Sequence, residues 1–431
     1  MRKINLGLIG FGNVGAGVIK ILRDKKKFLT DKIGVEIEIK KICDKDLVSK
    51  RNVSVEKSLL TKDAGQIIND AEIDIVVELI GGIHPAKEII SEALKKGKNI
   101  VTANKALLAQ DGQELFALAH DKGKNIYFEA SVGAGIPIIK ALREGLVANK
   151  FESIFGILNG TSNFILSQMS EQNSPFSRAL KEAQARGFAE KDPTLDIEGI
   201  DSAHKLILLT YLCFGKFVNL DDVFVEGISH ISLDDVNYAK ELGFEIKLLA
   251  ITNKEGEDLE VRVHPTLIPA DHPLASVDDV NNAIYVCSDL AGDLLFYGPG
   301  AGQMSAASAV VADIVDLTQD IKAGLFRPTL NMVTDKSIKK LRKIDDFESK
   351  YYIRFMALDR PGVLAKVSGI LAKYGISIAS VTQKEKKRTQ VVPIVMVIHQ
   401  AQEKALREAL SVIDKLSFIK EKSVAIRIEE L

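Results

Sequence analysis

Apolar positions in the first 130 residues come in short continuous runs, separated by stretches of helical period. Ile4 to Ile9 reads as a buried strand, because a strand covered on both faces carries no polar alternation, and Val35 to Cys43, Ile73 to Ile80, Asn99 to Ala103 and Asn125 to Glu129 are the further strand candidates. Val18, Ile19, Ile21 and Leu22, then 85–96 and 107–122, supply the helices between them. That alternation predicts an α/β fold with a Rossmann-type doubly wound sheet over 1–130.

The pattern then changes. Ser131 to Pro137 is a turn of small residues leading into a helix that ends near Leu146, and Ile154 to Leu158 reads as a strand running into Asn159-Gly160-Thr161-Ser162-Asn163. Ile200, Ala203, Ile207 and Tyr211 repeat along one helical face from about Glu198, and an alanine- and valine-rich helix over 303–320 is expected to pack back on the first domain. The span 131–302 thus reads as a second, α+β domain. Residues 331–350 turn polar and read as a linker. From 351 to 431 the order strand, helix, strand, strand, helix, strand predicts a ferredoxin-like antiparallel sheet.

Composition narrows the class. With 431 residues, 46% hydrophobic and 27% charged, the chain suits a multidomain globular protein, and a net charge of -1 argues against a nucleic-acid partner. No run reaches membrane-spanning length, and no leader-like segment precedes the first glycines, so a cytoplasmic location is expected. Cys43, Cys213 and Cys287 are odd in number and lie in apolar surroundings, which suits buried free thiols. The seven histidines show no zinc spacing.

Gly10-Phe11-Gly12-Asn13-Val14-Gly15 follows the first strand directly and opens a helix, the context in which GxGxxG carries meaning. Gly10 allows the tight turn, Gly12 clears the approach of a pyrophosphate, and Gly15 lets helix and strand pack closely. Asp44 ends the second strand, where a carboxylate meets the ribose of NAD; Lys45 beside it could meet the extra phosphate of NADP. Thr102 and Lys105 fall at another strand's carboxyl end, the ligand side of such sheets, although spacing alone equally suits a solvated Lys105. Glu190, Asp192 and Asp196 crowd the approach to a helix that presents Asp201 and Lys205 one turn apart. That set could hold a small zwitterion; by itself it also fits a solvated, Asp-rich helix start.

Taken in order, GFGNVG, TANK, EASVGAGIP, NGTSNFIL, EKDPTLDIEGIDSAHK and GPGAG make the chain resemble the monofunctional homoserine dehydrogenases that end in an ACT domain. The resemblance spans nearly the whole chain. It implies NAD(P)H-dependent reduction of L-aspartate 4-semialdehyde to L-homoserine, with Lys205 as proton donor and Lys105 beside nicotinamide and substrate. It further implies that Glu190, Asp196 and Asp201, with Gly160 and Thr161, hold substrate, that Gly302 touches cofactor, and that sodium binds at Glu129, Val132, Ala134 and Ile136. Asp359 to Leu364 matches the ACT ligand turn, with Asp359 and Gly362 placed for an amino-acid effector, L-threonine by implication; an ACT fold serving only assembly is the alternative. A homodimer or homotetramer is expected. Departures are Met304-Ser305 after the last glycine motif, Phe188-Ala189 where Tyr-Thr is frequent, and Cys43-Asp44-Lys45 where an arginine is common, which favours NAD.

Overall fold

Six strands open the structure, a computed structural model describing residues 3–327, 338–384 and 391–431. They are Lys3–Ile9 (β1), Glu36–Cys43 (β2), Leu60–Thr61 (β3), Ile75–Glu78 (β4), Asn99–Thr102 (β5) and Ile126–Tyr127 (β6). All pair in parallel in the order β3-β2-β1-β4-β5-β6, the doubly wound arrangement whose strand order reverses between β1 and β4. Two strands are shorter than their apolar runs. β4 ends at Glu78 because that residue's carboxylate takes the next amides, Ile80 N at 2.8 Å and Gly81 N at 3.3 Å. β6 stops before Glu129, whose N–H donates to the Asp313 carboxylate at 2.8 Å, and Glu129–Ser131 winds into a 3-10 turn. The helix expected to end near Leu146 is a single turn, Ile138–Lys140, continued by a π-turn over Ala141–Gly145.

The chain divides into two units, Met1–Glu152, His204–Leu220 and Asn282–Ser337 in the first, Ser153–Ala203, Asp221–Asn281 and Ile338–Leu431 in the second. In the first unit, the helix expected over 303–320 spans Gln303–Ala323 and lies on the helix Asn13–Asp24. Gly17 makes the approach possible, since a Cβ there would stand 2.9 Å from the Ala307 Cβ. Val310, Ile314 and Leu317 join β1 and β4 in one apolar core, and Tyr127 donates to Asp320 at 2.9 Å.

The second unit holds Phe151–Ile157 (β7), Phe224–Val225 (β8) and a long hairpin of Phe244–Glu255 (β9) with Asp258–Pro269 (β10). Asn281–Ser288 (β11) and Gly292–Pro299 (β12) return mainly to the first unit, and Lys340–Leu341 (β13), Glu348–Leu358 (β14), Ile378–Gln383 (β15), Val391–Gln402 (β16) and Val424–Ile428 (β17) complete the second. With the helices Val363–Lys373 and Glu403–Ile413 the C-terminal part has the expected βαββαβ order. It is not a free-standing sheet: the neighbours run β7-β9-β10-β17-β14-β16-β15, because β17 pairs in parallel with β10, Thr266 opposite Arg427. Of the expected linker, 331–337 lie outside the described residues. In the rest, β13 pairs with β10, Ile344–Asp346 forms a short 3-10 turn, and Ile338 and Phe347 are buried. No helix among the described residues is long and apolar enough to cross a membrane.

Candidate functional site

Three glycines at the carboxyl end of β1 each meet a different constraint. Gly10 has φ +108°, and a Cβ there would lie 2.6 Å from the Leu79 backbone. A Cβ on Gly15 would reach within 2.1 Å of the Gly10 carbonyl oxygen, so the helix could not sit on the strand. At Gly12 a Cβ would meet nothing within 4 Å, which leaves that position open to a ligand at the helix N-terminus. Beside it opens a cleft of about 470 Å³ lined by Phe11, Gly12, Asn13, Lys50, Arg51 and Gln303, among others. Val14 lies inside the helix behind it.

Asp44 and Lys45 are not among the lining residues. Asp44 instead accepts from Phe11 N at 2.5 Å and Asp46 N at 2.8 Å, tying the glycine loop to the turn after β2. The basic groups facing the cleft are Lys50 and Arg51, which the sequence reading missed. Arg51 donates Nε to the Phe11 carbonyl at 2.9 Å and lies over the Phe11 ring, 4.8 Å from its centroid. Gln303, next to Gly302 with its φ of +114°, donates to the Asn13 carbonyl at 2.8 Å, so the late helix helps close the cofactor loop despite Met304.

Glu78, fully buried, joins the loops after β4 and β5. It accepts from Thr102 Oγ1 at 2.6 Å; Thr102 Oγ1 accepts from Asn104 N at 3.0 Å, and Asn104 Nδ2 donates to the Gly82 carbonyl at 2.6 Å. Burial raises the Glu78 pKa against these hydrogen bonds. Asn104 caps the helix Lys105–Asp121, placing Lys105 at its first residue, partly buried. Among the sodium candidates, buried Glu129 accepts from Ile139 N at 2.8 Å and Lys140 N at 2.9 Å. Val132 and Ile136 are buried and Ala134 takes a φ of +39°. Desolvation raises the pKa of Glu129, and desolvation followed by the charge of Glu129 raises that of Asp313 well above the usual carboxylate range. No cluster of three or more His, Cys, Asp or Glu able to hold a metal occurs among the described residues.

In the second unit Asn159, which ends the β7 connection, does what no spacing rule announced. Its Nδ2 donates to Asp196 at 2.7 Å and to Asp201 at 2.9 Å, while its Oδ1 accepts from Ser162 N and caps the helix Gly160–Glu171. Two carboxylates distant in sequence from Asn159 are therefore gathered on one amide. Gly160 fits only because it lacks a Cβ, which would stand 2.7 Å from the Val280 carbonyl oxygen. Thr161 Oγ1 donates to the Phe188 carbonyl at 2.7 Å, so the backbone of Phe188 serves although its side chain departs from the usual tyrosine. Glu190 is exposed, and its backbone carbonyl accepts from Gln184 Nε2 at 3.2 Å. Asp201 and Lys205, both buried, occupy the first two turns of the helix Ile200–Phe214, which starts two residues later than the periodicity indicates. Far along the sheet, Asp359, Gly362 and Gln383 line a cleft of about 420 Å³, with Gly362 at φ +87° where the helix Val363–Lys373 begins.

Family comparisons agree with this layout. The model for the homoserine dehydrogenase NAD-binding domain matches residues 10–129, that for homoserine dehydrogenase 137–315, and that for the ACT domain 351–418. Homoserine dehydrogenase of Neisseria gonorrhoeae is 43% identical, with 100% of both chains covered, and that of Bacillus subtilis 39%, covering 100% of this chain and 99% of its own. The chain belongs to the homoserine dehydrogenase family. The crystal structure of a homoserine dehydrogenase from Thiobacillus denitrificans superposes with a TM-score of 0.90 at 43% identity, covering 100% of this chain and 99% of that one. A hyperthermophilic archaeal homoserine dehydrogenase solved with NADPH covers 76% of this chain and all of its own, at a TM-score of 0.62 and 27% identity. As a homoserine dehydrogenase, the chain is an oxidoreductase whose first unit binds a nicotinamide dinucleotide. What sequence reasoning missed are the residues that hold others: Glu78, Asn159, Asp313 and Gln303, plus Arg51. Only Asn159 lay inside a noticed motif, where it read as a turn residue.

Proposed function

We propose that the chain interconverts L-aspartate 4-semialdehyde and L-homoserine with NAD(P)H or NAD(P)+, and that Lys205 exchanges the proton on the reacting oxygen. The observation that carries this reading is the Asn159 amide, which gathers Asp196 and Asp201 at the start of the helix on which Lys205 is buried one turn further on. Asp196, Asp201 and Glu190 take the ammonium and hydroxyl ends of the substrate, and backbone around Gly160 and Thr161 meets its remaining polar groups. A nicotinamide cofactor, held when bound by the Gly10–Gly15 loop, would supply the hydride for the carbonyl carbon. Negative charge then grows on the oxygen, and the Lys205 ammonium donates a proton to it, a step typically worth about 10²–10⁴-fold. Lys105, fixed by the Asn104 cap, orients carbonyl and nicotinamide. Lys50 and Arg51 give the adenosine end cations that suit a 2′-phosphate, which weighs against an exclusive preference for NAD.

The turn at Glu129 suits a monovalent cation, since Glu129 and Asp313 are both buried carboxylates whose charge it would offset; Glu129, Val132, Ala134 and Ile136 are the residues that would hold sodium. The turn at Asp359 and Gly362 is of a size and polarity for a free amino acid, read here as L-threonine acting as feedback inhibitor, in a homodimer or homotetramer located in the cytoplasm. The test is cofactor reduction with L-homoserine at alkaline pH. Lys205→Ala should lower kcat by two or more decades, ~10²-fold at least, with melting behaviour kept; unchanged turnover would remove Lys205 from the reaction.

A further inference from the structure

The carboxylates gathered by Asn159 are joined to the C-terminal sheet by a short route of named bonds. Arg427, on β17, is buried and holds Glu403 with two nitrogens, Nε at 3.0 Å and Nη2 at 2.8 Å. Its remaining Nη1 reaches out of that pair to Glu226 Oε2 at 2.8 Å. The guanidinium also stacks over Phe224, 4.7 Å from the ring centroid, so it grips the 224–226 segment by side chain and ring together.

That segment is pinned from two sides. β8 pairs with β10, Phe224 opposite Arg262 and Val225 opposite Val263, and Glu226 N donates to the Val263 carbonyl at 2.8 Å. On the other side the chain presses on the carboxylate-bearing turn: Ile228 N donates to the Ile197 carbonyl at 2.8 Å, and a Cβ on Gly227 would lie 2.5 Å from that same oxygen. Ile197 follows Asp196 directly, and Gly199, two residues before Asp201, sits at φ +83° with Val225 and Val263 at 3.1 and 3.2 Å from where its Cβ would be. A shift of the 226–228 segment therefore cannot leave Asp196 and the start of the Asp201 helix in place, because close-packed backbone transmits displacement.

We propose that Glu226 is a positioning residue for substrate, and that the Glu226–Arg427 ion pair is the joint through which the C-terminal sheet sets the geometry of Asp196 and Asp201. The proposal rests on the assignment of those two carboxylates to substrate. Glu226 is partly exposed, and His230 stands 3.4 Å from its other oxygen, so truncating it leaves Arg427 still paired with Glu403. The core is thereby spared, and the joint alone is cut.

Steady-state kinetics of the full chain distinguish the outcomes. Glu226→Ala should raise KM for L-homoserine roughly tenfold, as expected for one misplaced charge-assisted hydrogen bond, with KM for the cofactor unchanged and the thermal midpoint close to wild type. Glu226→Gln, whose amide oxygen still accepts from Arg427, should recover most of the loss. Asp196→Asn is measured alongside. If Asp196→Asn raises KM and Glu226→Ala does not, the positioning role is wrong while the substrate assignment stands. If Asp196→Asn leaves KM unchanged, the substrate assignment fails and the proposal goes with it. A rise in both KM values with a lowered midpoint makes Glu226 merely structural and likewise overturns it.

Discussion

The glycine loop of the first unit and the carboxylate cluster of the second both stand at helix N-termini, yet they are built in opposite ways. The loop is made by side chains that are missing: Gly10 and Gly15 have no room for a Cβ, and Gly12 has room that nothing in the protein fills. The cluster is made by a side chain that is present, the Asn159 amide, spending both its N–H groups on Asp196 and Asp201. Space is specified by backbone pressed close, five residues back along the chain for Gly15 and after the neighbouring strand β4 for Gly10. Bonds between distant residues are specified only by the fold. Sites of the first kind tolerate no added atom, whereas sites of the second kind fail through the loss of one.

The largest effect expected from this contrast is at Gly15. Gly15→Ala places a methyl group against the Gly10 carbonyl oxygen, backbone on both sides, and should cost about 1–3 kcal/mol of stability and abolish cofactor binding, read by thermal melting and nucleotide titration. A soluble Gly15→Ala protein that binds cofactor normally would break the contrast. Next comes Asn159→Ala. It removes a helix cap worth about 1 kcal/mol and the amide bridging two carboxylates, so KM for L-homoserine should rise ~10-fold or more while cofactor affinity holds. Equal losses in both affinities would show that the cluster also supports the cofactor side. Gly12→Ala sharpens the first half: folding should be intact, because no atom lies within reach, and only the cofactor constant should weaken, by roughly several-fold.

Smallest is an acid effect confined to charge-built structure. Burial opposes ionisation of Asp235, but Arg354, bound at 2.6 and 3.0 Å, together with Ser232 holds its pKa below the usual carboxylate value. A depressed folded pKa stabilises above the unfolded value of about 3.9 and stops doing so as pH falls through the folded one. The thermal midpoint should therefore drop below about pH 4, and the slope should lessen in Asp235→Asn. A midpoint independent of pH in that window would mean that the pair adds nothing to the folded state.

Legibility followed the same division. Five of the six parallel strands, the glycine loop and the βαββαβ order were readable because each depends on residues within one strand or one turn; the two-residue β3 was too short to show a period. Boundaries moved where a distant group took an amide, as Asp313 did from Glu129 at the end of β6. Asp44 holds the glycine loop to the turn after β2 through Phe11 N and Asp46 N, contacts that spacing did not announce, and the cations lining the cleft are Lys50 and Arg51. The hairpin β9–β10 had no counterpart in the sequence reading. Its partner β17 lies more than 150 residues on, and this pairing joins the hairpin and the C-terminal strands in one continuous sheet.

Residue order alone settled the nucleotide-binding architecture and the types of group available for chemistry, because periodicity and glycine spacing act over a few bonds, while the family followed from the resemblance of six motifs in order. Which of those groups meet was decided in three dimensions. Asn159 meets Asp196 and Asp201 only because the helices between them pack back on it, and Arg427 reaches Glu226 only across paired strands, since a hydrogen bond requires approach within about 3 Å and nothing in a linear chain supplies it.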